Sequence, residues 1–148
     1  MKVNVLLALA LISFGASASV DDVKASFKAS HVDGWTKKNG VELASHADKY
    51  RILNVKLSAN SGAVKLDFTD LESDQIGASE GYCWRLAGLA PLVMPSSWSE
   101  QTPDEQALAK IYTGDLASGS TRSGVINGWS FTFGRVENTI YCSANKVS

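Results

Sequence analysis

Histidine, cysteine and proline are scarce in this 148-residue chain, at two, two and three copies. A zinc site takes three or four His, Cys or carboxylate ligands at close spacing. His31-Val32-Asp33 could supply one edge of such a site, but nothing nearby supplies the rest, so no metal and no cofactor are expected. His31 and His46 lie in polar segments without a partner at a helical or hairpin-fixed distance, and they read as surface residues. No serine sits in a Gly-x-Ser-x-Gly elbow, and without a His partner a serine hydrolase has no support. An excess of basic residues is missing as well. There are 14 Lys and Arg against 15 Asp and Glu, so the basic stripe of a nucleic-acid binder is not expected. Beyond the first dozen residues no run is apolar and long enough to span a membrane.

What is present begins with an export signature. Lys2 is followed by the uninterrupted apolar run Val5 to Ile12, and then by Ala16-Ser17-Ala18, the small residues a signal peptidase requires. The run is shorter than the ~20 residues of a membrane-spanning helix. Residues 1–18 are therefore expected to be removed after Ala18, giving a periodic pattern of elements on residues 19–148, read as a single domain. Cleavage removes one base, Lys2, leaving 13 against 15 acids and a net charge of about −2. An exported chain with an even number of Cys is expected to pair them, here Cys83 with Cys142, in the periplasm or outside the cell.

Alternating apolar residues predict strands. Leu53, Val55 and Leu57 share one face of 51–57, and Val64, Leu66 and Phe68 share one face of 63–69, joined by a five-residue loop, Ser58 to Gly62. Asn39-Gly40 predicts a tight turn before a strand at Val41 to Ser45. Tyr82 to Leu86 reads as a third strand. Trp129, Phe131 and Phe133 alternate after the turn at Asn127-Gly128, and Ile140 and Cys142 alternate after Glu137-Asn138. Ser118 to Gly124 reads as a mobile loop.

Helical signals are fewer. Thr102-Pro103-Asp104-Glu105 is a capping box with Pro at the first helical position, Ala107, Leu108, Ile111 and Tyr112 form an apolar stripe, and Gly114 is a stop. Asp21 to Ala29, with Val23 and Phe27 four apart, predicts a second short helix. The expected fold is mainly β with one or two short helices, a compact antiparallel barrel or curved sheet or sandwich, stapled from the third strand to the last by the disulfide.

Asp70, Glu72 and Asp74 alternate like the opening of a calcium loop. Gln75 stands where the sharp-turn Gly belongs and Gly81 where the closing Glu belongs, so that motif fails. These acids read instead as a solvated patch able to meet a basic partner. Trp84 and Trp129 read as core, while Trp35 and Trp98, beside Gly and Ser, read first as covers of a core edge and otherwise as contact surfaces, where Trp in such settings is typical.

Absent catalytic groups, these features favour a non-enzymatic periplasmic binding protein. The expected activity is that of an inhibitor or immunity protein blocking a toxic enzyme, such as a lysozyme-like wall-degrading hydrolase, with Glu72, Asp74, Glu80, Trp98 and Arg122 as contacts. Such hydrolases are often basic, so an acidic surface complements them. An alternative rests on element order and on Tyr82-Cys83. Over residues 50–145 the succession of strands, one helix, then strands, with a disulfide, is similar to the small barrel subunits of bacterial pentameric toxins. That resemblance implies a secreted glycan-binding module, a closed barrel and a homo-oligomer.

Overall fold

The structure is a computed structural model and describes residues 20–94 and 100–148. The expected signal at residues 1–18 and the candidate contact Trp98 lie outside the described residues. The elements run α1 (Val20–Lys28), β1 (Thr36–Lys38), β2 (Val41–Ala47), β3 (Arg51–Ser58), β4 (Ser61–Phe68), α2 (Ser73–Leu86), α3 (Pro103–Tyr112), β5 (Thr121–Ile126), β6 (Trp129–Val136) and β7 (Thr139–Lys146). The strands form one seven-stranded antiparallel sheet in the order β1-β2-β3-β4-β7-β6-β5. β1 and β5 do not pair with each other, so the sheet is open. Of the expected alternatives the curved sheet holds, and the closed barrel implied by the toxin-subunit resemblance does not.

Strand register follows from period-2 alternation. Leu53, Val55 and Leu57 of β3 lie opposite Leu66, Val64 and Gly62 of β4. On β7, Ile140, Cys142 and Ala144 continue the same inward face, which Phe131 and Phe133 of β6 complete. These side chains are buried, with Leu53, Leu57, Leu66, Phe131, Phe133 and Ile140 fully so. Each such side chain stabilises the fold by roughly 1.5–3 kcal/mol when buried, so a one-residue slip that turned a strand over would forfeit several at once. The β3–β4 connection is tighter than expected. Pairing continues to Ser58 opposite Ser61, leaving Ala59 and Asn60 as a two-residue turn closed by a 2.9 Å contact between the two Ser hydroxyls.

The helices cover this inward face. Phe27 of α1 is fully buried against Tyr82, with near-parallel rings at 6.4 Å. Tyr112 ends α3 between Phe131 and Phe133, edge-on to both, and its hydroxyl donates to Ser143 O at 2.6 Å. Burial pushes the Tyr112 phenol well above its ordinary pKa, so it stays a neutral donor. Of the expected capping box of α3 the Thr102 half is formed, with Thr102 Oγ1 accepting from Glu105 N, and Pro103 stands at the first helical position.

The expected third strand is instead the second half of α2. Its buried residues Ile76, Ser79, Tyr82, Cys83 and Leu86 recur at three- and four-residue spacing, which puts them on one helical face. Gly77 and Gly81 interrupt the helical pattern and make Tyr82, Trp84 and Leu86 look like a strand. The Cys83–Cys142 bond therefore staples α2 to β7, with Cα atoms 5.7 Å apart and 59 residues between them in sequence. Closing a loop of that length is worth about 4 kcal/mol in the chain-entropy account. A second correction concerns Ser118 to Gly124, whose latter half is the start of β5. A third is Gly62, where the turn at Ala87–Leu89 packs so closely that an added Cβ would sit 2.6 Å from Leu89 Cδ1.

Gly77 and Gly81 have no atom within 4 Å of where a Cβ would stand. In a helix interior Gly costs about 0.5–1 kcal/mol relative to Ala. Gly81→Ala is expected to raise the unfolding free energy by about that amount in urea denaturation. No change or a loss would mean that this stretch is not helical.

Candidate interaction site

One end of the sheet is built from four connections that are bonded to one another. Thr69 N donates to Tyr50 O at 2.9 Å, joining the β4–α2 and β2–β3 connections. Phe68 N donates to Asn138 O at 2.9 Å, and Asn138 Nδ2 returns a bond to Thr69 O at 3.2 Å. Arg135 donates to Leu116 O at 3.1 Å, while Ser118 Oγ accepts from Glu137 N at 2.9 Å, which brings in the α3–β5 connection. The sharp β6–β7 turn behind this lacing needs Glu137 in the left-handed region, at φ 52°.

This end carries exposed carboxylates at Asp70, Glu72, Asp74, Asp115 and Glu137. Beside them stand three exposed apolar side chains, Tyr50, Ile52 and Val136, at 58, 48 and 54 % exposure. Ile52 and Val136 belong to the uncovered face of the sheet. They are linked across it by the row Ile52–Asp67–Thr139–Val136. Asp67 in that row is not free, since Thr139 Oγ1 donates to it at 2.7 Å and Lys65 pairs with it at 3.4 Å. Exposed apolar groups rimmed by charge are the usual composition of a protein contact.

The sequence-chosen contacts divide. Glu72 and Asp74 are at this end, at the start of α2, where acids also favour the helix N-terminus. Gln75 Oε1 accepts from Glu72 N at 2.9 Å, so the alternate spacing of Asp70, Glu72 and Asp74 is broken by a helix and not set out along a strand. Glu80 and Arg122 are brought together, but on internal duty. Glu80 accepts from Gly114 N at 2.8 Å and Arg122 donates to Gly114 O at 3.0 Å. Between them they clamp the peptide groups of a residue at φ 103°, which glycine tolerates. Arg122 also stacks on Phe133, with its guanidinium carbon 5.3 Å from the ring. Tyr50, Ile52 and Val136 were missed by sequence reading, because exposure of an apolar residue shows in sequence only once strand parity and neighbours are known.

His31 and His46 are not isolated. Their rings are 6.0 Å apart, bridging the end of α1 and β2 although 15 positions separate them in sequence. Asp48, two residues beyond His46, feels its charge. Its carboxyl is held below the ordinary value of 3.8, first by the N–H of Tyr50 and then by the N–H and guanidinium of Arg51 and the charge of His46. Tyr50 N and Arg51 N donate to Asp48 Oδ1 at 2.7 and 3.0 Å. A general acid beside a histidine needs the opposite shift, so this arrangement acts as a turn-stabilising anion. Among the described residues no three His, Cys, Asp or Glu converge as a metal site would require.

Nearby, Arg51 donates to the Tyr82 hydroxyl at 2.7 Å and Arg85 to Ser30 Oγ at 2.6 Å, and both guanidinium carbons lie 5.2 Å from the Tyr82 ring. These contacts fasten α1 and β3 to α2. Trp35 is half-buried, edge-on to Phe27, with the Lys24 ammonium over its ring, and Trp129 is core as expected. Trp84 is partly buried beside Tyr112, on a helix. A shallow pocket of about 360 Å³ opens on the uncovered sheet face among Asp33, Thr36, Leu43, Ser45, Asn54 and Lys56, and no aromatic ring lines it.

Comparison with known proteins adds no relative: no family model matches the chain, and neither a curated protein nor a solved structure is significantly similar to it. The class defined by the described residues is therefore architectural, an open seven-stranded antiparallel sheet with three short helices and one disulfide.

The Asp48 turn predicts a pH signature. A carboxyl with a lowered folded pKa adds stability that is present above its unfolded value and is lost as pH falls through the folded one. Asp48→Ala is expected to unfold at lower denaturant than the native chain at neutral pH, with the gap narrowing as pH drops below 3.8. A gap independent of pH would contradict a role for the charge.

Proposed function

We propose that the chain is an exported, non-enzymatic binding protein that blocks a basic enzyme of the cell-wall-degrading kind, by docking the laced end of its sheet onto it. One observation supports this above the others: the bonded connections hold exposed carboxylates and exposed Tyr50, Ile52 and Val136 side by side on a rigid end. The division of labour follows from magnitudes. Exposed ion pairs are each worth only ~0.2–1 kcal/mol, so the acids would serve approach rate and partner choice. Apolar area, at roughly 25 cal/mol per Å² removed from water, would hold the complex once formed.

Export is part of the proposal and rests on the residue pattern of the first 18 positions, together with a buried disulfide of the kind oxidising compartments permit. No helix among the described residues is long and apolar enough to cross a membrane. The glycan-binding alternative took its support from barrel-like element order. With Tyr82-Cys83 in a helix and the sheet open, no observation here favours it.

The proposal is tested by pull-down with a wall hydrolase encoded beside the gene. Capture is expected, with Glu72→Lys/Asp74→Lys slowing association about tenfold at low salt, and Ile52→Asp accelerating release. Absence of capture, together with normal survival of a deletion strain challenged by that hydrolase, would overturn it.

A further inference from the structure

The two edges of the sheet are built differently. β1 is three residues long, fully exposed, and carries Lys37 and Lys38, a short and charged edge of the kind that resists pairing with other strands. β5 is six residues long, Thr121–Ile126, and pairs only with β6 in a continuous register without a bulge. Among the described residues, no backbone group of 121–126 bonds to anything outside that ladder. Its single charge is withdrawn, because Arg122 is turned toward Gly114 and Phe133. There is no Lys or Pro in it, and Val125 stands 65 % exposed. α3 covers the inward side of β5, where an added Cβ at Gly124 would lie 3.0 Å from Ile111 Cδ1, but none of the described residues pairs with its hydrogen-bonding edge. A row of unpaired peptide groups fits one kind of occupant, another strand.

We propose that the occupant is β5 of a second copy of this chain, paired antiparallel about a twofold axis at Ser123. Ser123 then meets its own counterpart, Thr121 and Val125 meet each other's counterparts on the uncovered face, and Arg122 meets Gly124 on the inward face. β-branched pairs flank the axis, no two like charges face one another, and the long Arg side chain is opposed by the residue with none. The interface is isologous and closes on itself. It yields a continuous fourteen-stranded sheet, and the edges left at its ends are the two short, Lys-bearing β1 strands. A strand from an unrelated partner would satisfy the same peptide groups, but nothing on the edge selects its side chains, whereas the sequence of β5 is complementary to itself. The pairing leaves the end with Tyr50, Ile52 and Val136 open, so it stands whether or not that end docks a hydrolase.

Sedimentation of the disulfide-bonded protein across micromolar concentrations tests this, with circular dichroism confirming that each variant is folded. The native chain is expected to reach twice the monomer mass. Ser123→Lys, which sets two ammonium groups opposite each other at the axis, and Val125→Lys are expected to be monomeric. Both positions are exposed, so neither substitution should disturb the monomer fold. Thr36→Lys on the β1 edge should leave the dimer intact. Ser123→Cys should cross-link two chains under oxidation. A native chain that stays monomeric, a dimer that survives Ser123→Lys, or loss of the dimer in Thr36→Lys would each overturn the proposal.

Discussion

The fold depends on burial of one face of a single sheet. Strands β3 to β7 turn Leu, Val, Ile and Phe to the same side, β2 adds Ala44, and the three helices among the described residues, too short to be stable alone, supply the cover. The Cys83–Cys142 bond fixes α2 on β7, and the Tyr112–Ser143 bond fixes α3 on the same strand. β7 is an interior strand, paired on one side with β4 and on the other with β6, so both long helices are anchored away from the sheet edges. Everything else follows from covering one side only. The other face, the edges and the loop ends remain available to partners, and selection for contact can act on them without disturbing the core.

Much of this was legible in sequence where a local period decides the structure. The alternation in 51–57, 63–69 and 129–133 and the positive-φ turns Asn39-Gly40 and Asn127-Gly128 reappear as read, with Asn39 at 53° and Asn127 at 49°. Strand-like reading failed for Tyr82 to Leu86, because five residues contain too little sequence to separate a period of 2 from 3.6 when two glycines precede them. The buried Ile76, Ser79 and Cys83 show the helical period once the window is lengthened to the Glu72–Gln75 start. β5 was obscured for the reverse reason. Its neighbours Ser118 to Ser120 look like a loop, and its own Gly124 is small because Ile111 packs over it. Closure into a barrel was a non-local question, settled by β1 and β5 lying at opposite edges.

The site was legible only in its charges. Glu72 and Asp74 could be picked as exposed acids, but the neighbours that give them meaning come from loops some 65 residues further along, joined by the Asn138 and Glu137 bonds. Glu80 and Arg122 show the opposite lesson. Charged residues in polar sequence looked available, yet both are occupied by the backbone of Gly114. The proximity of His31 and His46 was likewise hidden. The Asp48 carboxyl is held below its ordinary value by two backbone N–H groups. Among the described residues, Asp48, Glu80 and Arg122 are engaged in holding turns and the backbone of Gly114.

The central claim is that the laced end of the sheet, with Tyr50, Ile52 and Val136 beside its carboxylates, and not the pocket on the uncovered face, is the docking surface. Amide NMR of the labelled protein, titrated with a cationic lysozyme-like wall hydrolase, tests it most directly. The account predicts shifts confined to residues 48–52, 69–74, 115–118 and 136–138. Shifts centred on Asp33, Ser45, Asn54 and Lys56, or none at saturating hydrolase, would contradict it.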